Sequence, residues 1–306
     1  MQLIYKGADI MPDVSINKML YDMYAEGRSD ALQIRFNDPK KLWENWSVAI
    51  GDEIEFIDNQ IKSGKMYIAE ITPENGLYSI RALAMPPSLK TITNKAWQGV
   101  KFSKVVEEIA GRHGLSAELH GVSDVTYEYL VQDAMQDIAF LQHICELEGC
   151  ALIIHNNKIV VYNESHIEGQ NAQGELFVGI DGDYKYCDGT GFLYGSCKVG
   201  SGQYVGEYKA NNDAAKIYIP PQAIRVNSEE EAKRYAKNLL RLVNKTACAG
   251  GIKNRGLTLD YAPASVVDLR TARAEAWNTK VFITHVQHDF VQCKTKIKFR
   301  KPLEGY

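Results

Sequence analysis

Short runs of strictly alternating apolar and polar residues, broken by turn residues, dominate both ends of this chain. Leu32, Ile34 and Phe36 alternate with polar neighbours and stop at Asn37-Asp38-Pro39. Ile54 and Phe56 alternate next, then Met66 to Ile71 and Leu77 to Leu83, with Thr72-Pro73-Glu74-Asn75-Gly76 between them. A period of two puts alternate side chains on one face of a strand, so these runs predict antiparallel strands with short turns. About five such strands in the first ninety residues must bury one face. A closed or nearly closed barrel does so and removes free edges. Met85-Pro86-Pro87-Ser88 ends the pattern, because proline donates no ladder hydrogen bond and restricts the residue before it. The first β domain is therefore placed at residues 1–90.

The period then changes. Phe102, Val105, Val106 and Ile109 have helical spacing, with Gly114 as the stop after His113. Asp133-Ala134-Met135-Gln136 has the form of a helix start. Ala134, Ile138, Leu141 and Cys145 continue it at helical spacing to Gly149. Ala151 to Ile154 and Ile159 to Tyr162 flank His155-Asn156-Asn157-Lys158, a hairpin signal. Helix, short strand, helix and hairpin describe a small α+β domain at 91–165.

Alternation returns in a second β domain at 166–306. Gly174 to Gly206 reads as strands with tight turns. Ser228-Glu229-Glu230-Glu231 is a capping box that opens an amphipathic helix over about 228–243, with Ala232, Tyr235, Ala236, Leu239, Leu240 and Val243 on one side. Leu257-Thr258-Leu259, Val266 to Leu269, Lys280 to Val286 and Cys293 to Phe299 read as strands. The fold class is α+β, mainly β: two antiparallel β-barrel domains flanking a small α+β domain. The symmetry suggests a duplication of architecture, although no sequence repeat accompanies it.

Composition narrows the function. The chain has 306 residues, 45% hydrophobic and 24% charged, which fits two or three folded domains. Its net charge of -3 argues against direct, non-specific nucleic-acid binding. The densest basic stretch is Lys294, Lys296, Lys298, Arg300 and Lys301. Even spacing puts three of these lysines on one strand face, either as a solvated face that discourages edge pairing or as a docking surface for an acidic partner. No stretch approaches the roughly 18 apolar residues of a membrane span, and no secretory leader opens the sequence. Synthesis and folding in a cytoplasm are expected. The six cysteines include no C-x-x-C pair and are expected to be reduced.

A search for catalytic patterns yields little. Cys145 lies on the apolar side of its helix, where a small buried thiol is common. His285 and His288 are an odd number of residues apart and point to opposite faces of a regular strand, so they make a poor metal pair. Asp181-Gly182-Asp183 with Asp188 resembles half of a calcium loop, but Phe192 stands where the closing Glu is needed. Phosphate-binding glycine loops and the G-x-S-x-G elbow are absent from the sequence. No catalytic, cofactor-binding or metal residue is assigned, and no cofactor is expected. Tyr194, Tyr204 and Tyr208 are candidates for an interface, with core or cross-strand packing as the other reading.

Three segments carry a resemblance. The stretch Trp97 to Leu115, with its helix and Gly114-Leu115 end, resembles the late control D family of contractile-tailed phages. Gln136 to Leu141, running on to Glu148-Gly149, is similar to that family's helix and following hairpin. Ser228 to Lys237 is similar to the helix of its last domain, and Phe282 to His288 with Thr295 to Phe299 resembles its closing strand pair. Such proteins, and the equivalent part of type VI secretion spike proteins, form trimers with two tube-like barrel domains per subunit. The resemblance implies a homotrimeric, non-enzymatic baseplate hub, assembled into a phage or tail-like particle. Its partners would be a sixfold tail tube, a separate central spike and other baseplate proteins. The sequence continues into neither a β-helical spike nor a lysozyme-like insertion. The rival expectations are a cell-wall hydrolase and a glycan-binding protein of a tail tip.

Overall fold

The computed structural model describes residues 1–58, 60–180 and 182–306. Its backbone is mainly strand, with five α-helices: α1 (Leu42–Asn45), α2 (Phe102–Arg112), α3 (Asp137–Leu147), α4 (Glu164–Glu168) and α5 (Glu229–Asn244). The α+β, mainly β class holds. The closed barrels do not. Strands from both ends of the chain form one continuous 14-stranded sheet, whose path runs from Asp183–Asp188 at one end to Ala8–Asp9 at the other without closing.

The join explains why. Ser15–Tyr24 pairs antiparallel with Lys280–Asp289, setting Met23 opposite Val286 and Tyr21 opposite His288. Each half thus satisfies its open edge with the other half instead of curling back on itself. One sheet face is mostly apolar, with the buried pair His288 and Thr295 as polar members. Ile252, Ile297, Val286 and Met23 stand side by side across four strands. Met23 packs against both the N-terminal core around Trp43, Phe36 and Phe56 and the C-terminal core around Val281, Ile283 and Phe299.

The middle of the chain builds a separate packed unit. Ile92–Lys101 pairs with Thr126–Gln136, and Ser116–His120 joins the hairpin Cys150–His155 and Lys158–Asn163. Asn156 and Asn157 turn that hairpin with φ of 45° and 58°, the left-handed geometry that asparagine tolerates best after glycine. Helix α2 buries Phe102, Val105, Val106 and Ile109, the residues expected from their spacing, and Gly114 follows at φ +67°.

Helix α3 starts later than its local signal. Asp133 to Gln136 is still strand, with Ala134 at φ 46° in a bulge, and the helix begins at Asp137. Pairing with Ile92–Lys101, itself missed from sequence, outcompetes the local cap. The Leu257-Thr258-Leu259 strand is also absent. Those residues pack Leu257 and Leu259 on the N-terminal core, and Thr258 N–H donates to Thr295 Oγ1. The strand at that position in the ladder is Cys248–Asn254.

Helix α5 forms as its capping box dictates. Ser228 Oγ accepts from Glu231 N–H at 3.1 Å, while the Glu231 carboxylate reaches back to Asn227 N–H at 2.6 Å. Its apolar side covers a small sheet made of Ser196–Ser201, Tyr204–Lys209 and Ile217–Tyr218.

Candidate assembly site

None of the sequence candidates for chemistry forms a reactive centre. Cys145 is buried and its thiol is pushed well above its usual range by that burial. Neighbouring Cys150 is pushed up to about 12 for the same reason. Both line a cleft of about 420 Å³ with Met85, Ile138 and Leu152. A thiol that resists ionisation is a poor nucleophile. His285 and His288 do face opposite ways. His285 donates from Nε2 to Asp22 Oδ1 at 2.8 Å, whereas His288 is fully buried, with Nδ1 3.1 Å from Thr295 Oγ1. Burial lowers the His288 pKa to about 4, which keeps that ring neutral. Asp183 lies 4.0 Å from Lys253, and Asp188 accepts from Thr190 N–H. Asp181 lies outside the described residues. Among the described residues no cluster of three or more His, Cys, Asp or Glu side chains could hold a metal.

The most elaborate polar arrangement is structural and was not among the sequence candidates. Six charged side chains from distant segments meet where the long sheet, the central unit and α5 join. Lys245, after α5, reaches Glu164 of α4 at 2.8 Å and also contacts Glu26. Arg300 of the last strand lies 2.7 Å from Glu168 and 3.6 Å from Glu164. Arg241 of α5 donates to Glu168 at 3.0 Å, and Leu303 N–H donates to the same carboxylate. Three carboxylates face three cations, so the cluster is balanced when all are ionised. Balance is needed because Arg300, Lys245, Glu164 and Glu168 are almost wholly buried.

Burial and the adjacent Glu164 charge raise the Glu26 pKa to about 7, with Lys245 offsetting only part of that. Burial opposes ionisation of Glu164 too, but Lys245 and Arg300 outweigh it and hold that carboxyl below its ordinary value. A second seam runs beside the first. Glu148, ending α3, takes Arg234 of α5 at 2.9 Å and the Tyr127 hydroxyl at 3.0 Å. The central unit is thus fastened to both halves of the sheet by ionic contacts as well as by packing.

Two surface features remain after the seams are assigned. Among the described residues, six of the eleven large exposed apolar side chains fall between residues 177 and 219, led by Phe192 at 78% and Phe177 at 70% exposure. They form a group along the sequence, on Glu175–Val178 and on and around the small sheet under α5. Tyr194, Tyr204 and Tyr208 do not belong to it. They are half-buried against the core under α5. The second feature is the outward side of the long sheet, which carries Lys18, Arg35 and Arg81 on neighbouring strands Ser15–Tyr24, Ala31–Asn37 and Leu77–Leu83.

This architecture is shared with solved tail proteins. The 43 kDa tail protein of prophage MuSo2 from Shewanella oneidensis superposes with a TM-score of 0.75 over 98% of each chain at 8% identity. A tail protein from Neisseria meningitidis gives a TM-score of 0.76 over 98% of this chain and 95% of that one at 9% identity. An Escherichia coli component of the type VI secretion system, described as structurally similar to T4 bacteriophage tail proteins, matches all of this chain and 78% of its own length, with a TM-score of 0.63 and 12% identity. No protein-family model and no curated protein sequence matches the chain. The fold is that of phage tail proteins and type VI secretion components, the group to which the motifs also point.

Proposed function

We propose that this chain is a structural, non-enzymatic baseplate hub of a phage or tail-like particle. As a homotrimer it joins a sixfold tail tube to a separate central spike. End-to-end likeness carries the reading: 98% of the chain follows the full course of two tail proteins, rather than borrowing one domain from them. The exposed apolar side chains between 177 and 219 support it, because an obligate ring needs apolar subunit contacts. Sheet halves built from residues 1–90 and 166–306 are the two tube-facing domains, and 91–165 is the unit wedged between them. Three subunits then offer six such domains, which matches threefold symmetry to sixfold by closed rotation. The particle would be assembled in the host bacterial cytoplasm with the other baseplate proteins.

Among the described residues no helix is long and apolar enough to cross a membrane. Light scattering coupled to size exclusion tests the proposal at several concentrations, with and without a co-expressed spike protein. A particle of three times 34.3 kDa is expected. A strict monomer in both preparations, or release of fragments from peptidoglycan by the pure protein, would sink it.

A further inference from the structure

The solvent face of the long sheet has a charge opposite to that of the whole molecule. Eight consecutive strands, from Asp183–Asp188 to Met66–Glu74, present it. Their pairing sets Lys253 beside Lys296 and Lys18 beside Arg35. Along one strand Lys294, Lys296 and Lys298 recur about every 7 Å, twice the rise per residue. Two of the basic residues have a carboxylate within reach: Lys253 with Asp183 at 4.0 Å and Arg35 with Glu74 at 3.8 Å. Lys18, Arg81, Lys185, Lys294, Lys296 and Lys298 have no carboxylate within 4 Å among the described residues. Counting the carboxylates of Asp22, Glu70, Glu74, Asp183 and Asp289 against these eight cations leaves three positive charges, on a chain whose net charge is -3.

Solvated lysines that merely protect an edge would sit on edge strands. Apart from Lys185 on the edge strand Asp183–Asp188, these basic residues lie on interior strands. Lys296 and Lys298 are flanked by ladders on both sides, so edge protection does not explain them. Three shallow depressions open on this face. One is framed by Lys18, Arg35 and Arg81, another by Lys18, Lys253 and Lys294, and the third by Lys185, Lys296 and Lys298.

We propose that this face docks a protein surface rich in carboxylates. Charge complementarity selects an acidic occupant. The interspersed Glu70, Asp183 and Asp289 favour protein over nucleic acid, because a continuous polyphosphate would be repelled there, while a mixed protein surface can pair with both signs. The face also lacks free aromatic platforms for stacking bases. Tyr24 is half-buried and stacked on His285 with ring centroids 4.5 Å apart, and Tyr67 is half-buried. The inference concerns a partner and does not depend on the hub reading, since an acidic occupant could dock on a monomer or a trimer.

The test uses the full chain and fluorescently labelled poly-L-glutamate, with a DNA duplex of equal charge as competitor, read by anisotropy from about 50 to about 200 mM salt. Lys294→Gln/Lys296→Gln/Lys298→Gln is compared with Lys40→Gln/Lys90→Gln/Lys209→Gln, three exposed lysines elsewhere. Both variants are first checked for an unchanged thermal midpoint. If the three face lysines destabilise the fold, Lys185→Gln with Lys18→Gln replaces them. Poly-L-glutamate binding that weakens about tenfold in the face variant and less than about twofold in the control is expected, as removing close charge pairs would produce. Equal losses in both variants, no binding of poly-L-glutamate, or tighter binding of the duplex would each overturn the proposal.

Discussion

The guanidinium of Arg300 lies 2.7 Å from the carboxylate of Glu168 and is 1% exposed, with its central carbon 4.5 Å from the ring centre of Phe282. The contact is close but poorly directed: none of the three guanidinium nitrogens makes a well-aligned hydrogen bond. Its contribution is therefore charge balance more than directed bonding, and losing one partner strands the rest.

Arg300→Met is expected to destabilise the protein by about 3–5 kcal/mol, the range for breaking a buried ion pair. Urea denaturation measures it. Adding Glu168→Gln should recover part of the loss, because two carboxylates then face two cations and the amide oxygen still accepts from Arg241 and Leu303 N–H. A double variant no more stable than Arg300→Met would mean that packing on Phe282, rather than charge balance, sets the cost.

Glu26 makes stability depend on pH. Its folded pKa is raised from 4.5 to about 7, so between those values the native state holds a proton that the unfolded state has lost. Stability from this group is complete below 4.5 and disappears as pH rises through 7. His288 acts in the opposite sense. Its pKa is lowered from 6.5 to about 4, so its contribution is lost as pH falls across that window. Comparing wild type with Glu26→Gln cancels the histidine. The urea midpoints should converge below pH 4.5, and the variant should be the more stable near pH 8. A difference that stays constant with pH would refute the assignment.

The cap on α5 is a local device with a local cost. Ser228 Oγ satisfies one otherwise unpaired N–H of the first turn. Ser228→Ala is expected to cost about 1 kcal/mol, and Ser228→Asp about none, because aspartate caps equally well. Thermal unfolding of the two variants provides the comparison.

Local signals were legible in the sequence, and long-range ones were not. The capping box, the stripe of α2 and the Asn156-Asn157 turn each depend on residues a few positions apart, and each appears in the structure. The false start of α3 at Asp133 shows the limit. A plausible cap lost to pairing with Ile92–Lys101, some forty residues earlier. Likewise, nothing near Ser15–Tyr24 announces that it will pair with Lys280–Asp289, so two closed barrels were expected where one open sheet forms. The ionic seam was invisible for the same reason. Glu164 and Glu168 are four residues apart, as are Arg241 and Lys245, but nothing in the sequence ties those two pairs to each other or to Glu26 and Arg300. Only folding brings them together.

Gly206 tests how α5 is seated. In the structure the helix approaches the small sheet so closely that a Cβ at Gly206 would sit 2.2 Å from the Lys233 backbone nitrogen and 2.3 Å from the Ala232 carbonyl carbon. These are backbone atoms in the first turn of the helix, so no side-chain rotation relieves the clash. Gly206→Ala must push the N-terminal end of α5 outward, away from Cys197 and Val199 and out of line with the Arg234–Glu148 seam. The expected loss is about 1–3 kcal/mol, the usual cost of overpacking. Gly202→Ala is a sensitive control: it lies in the adjacent turn at φ +62° with open space around it, so it probes backbone strain alone. Amide hydrogen exchange separates the two. Gly206→Ala should speed exchange along the first turns of α5, and Gly202→Ala should leave those amides unchanged. Equal protection of α5 in both variants would show that the helix is not held by the close approach at Gly206.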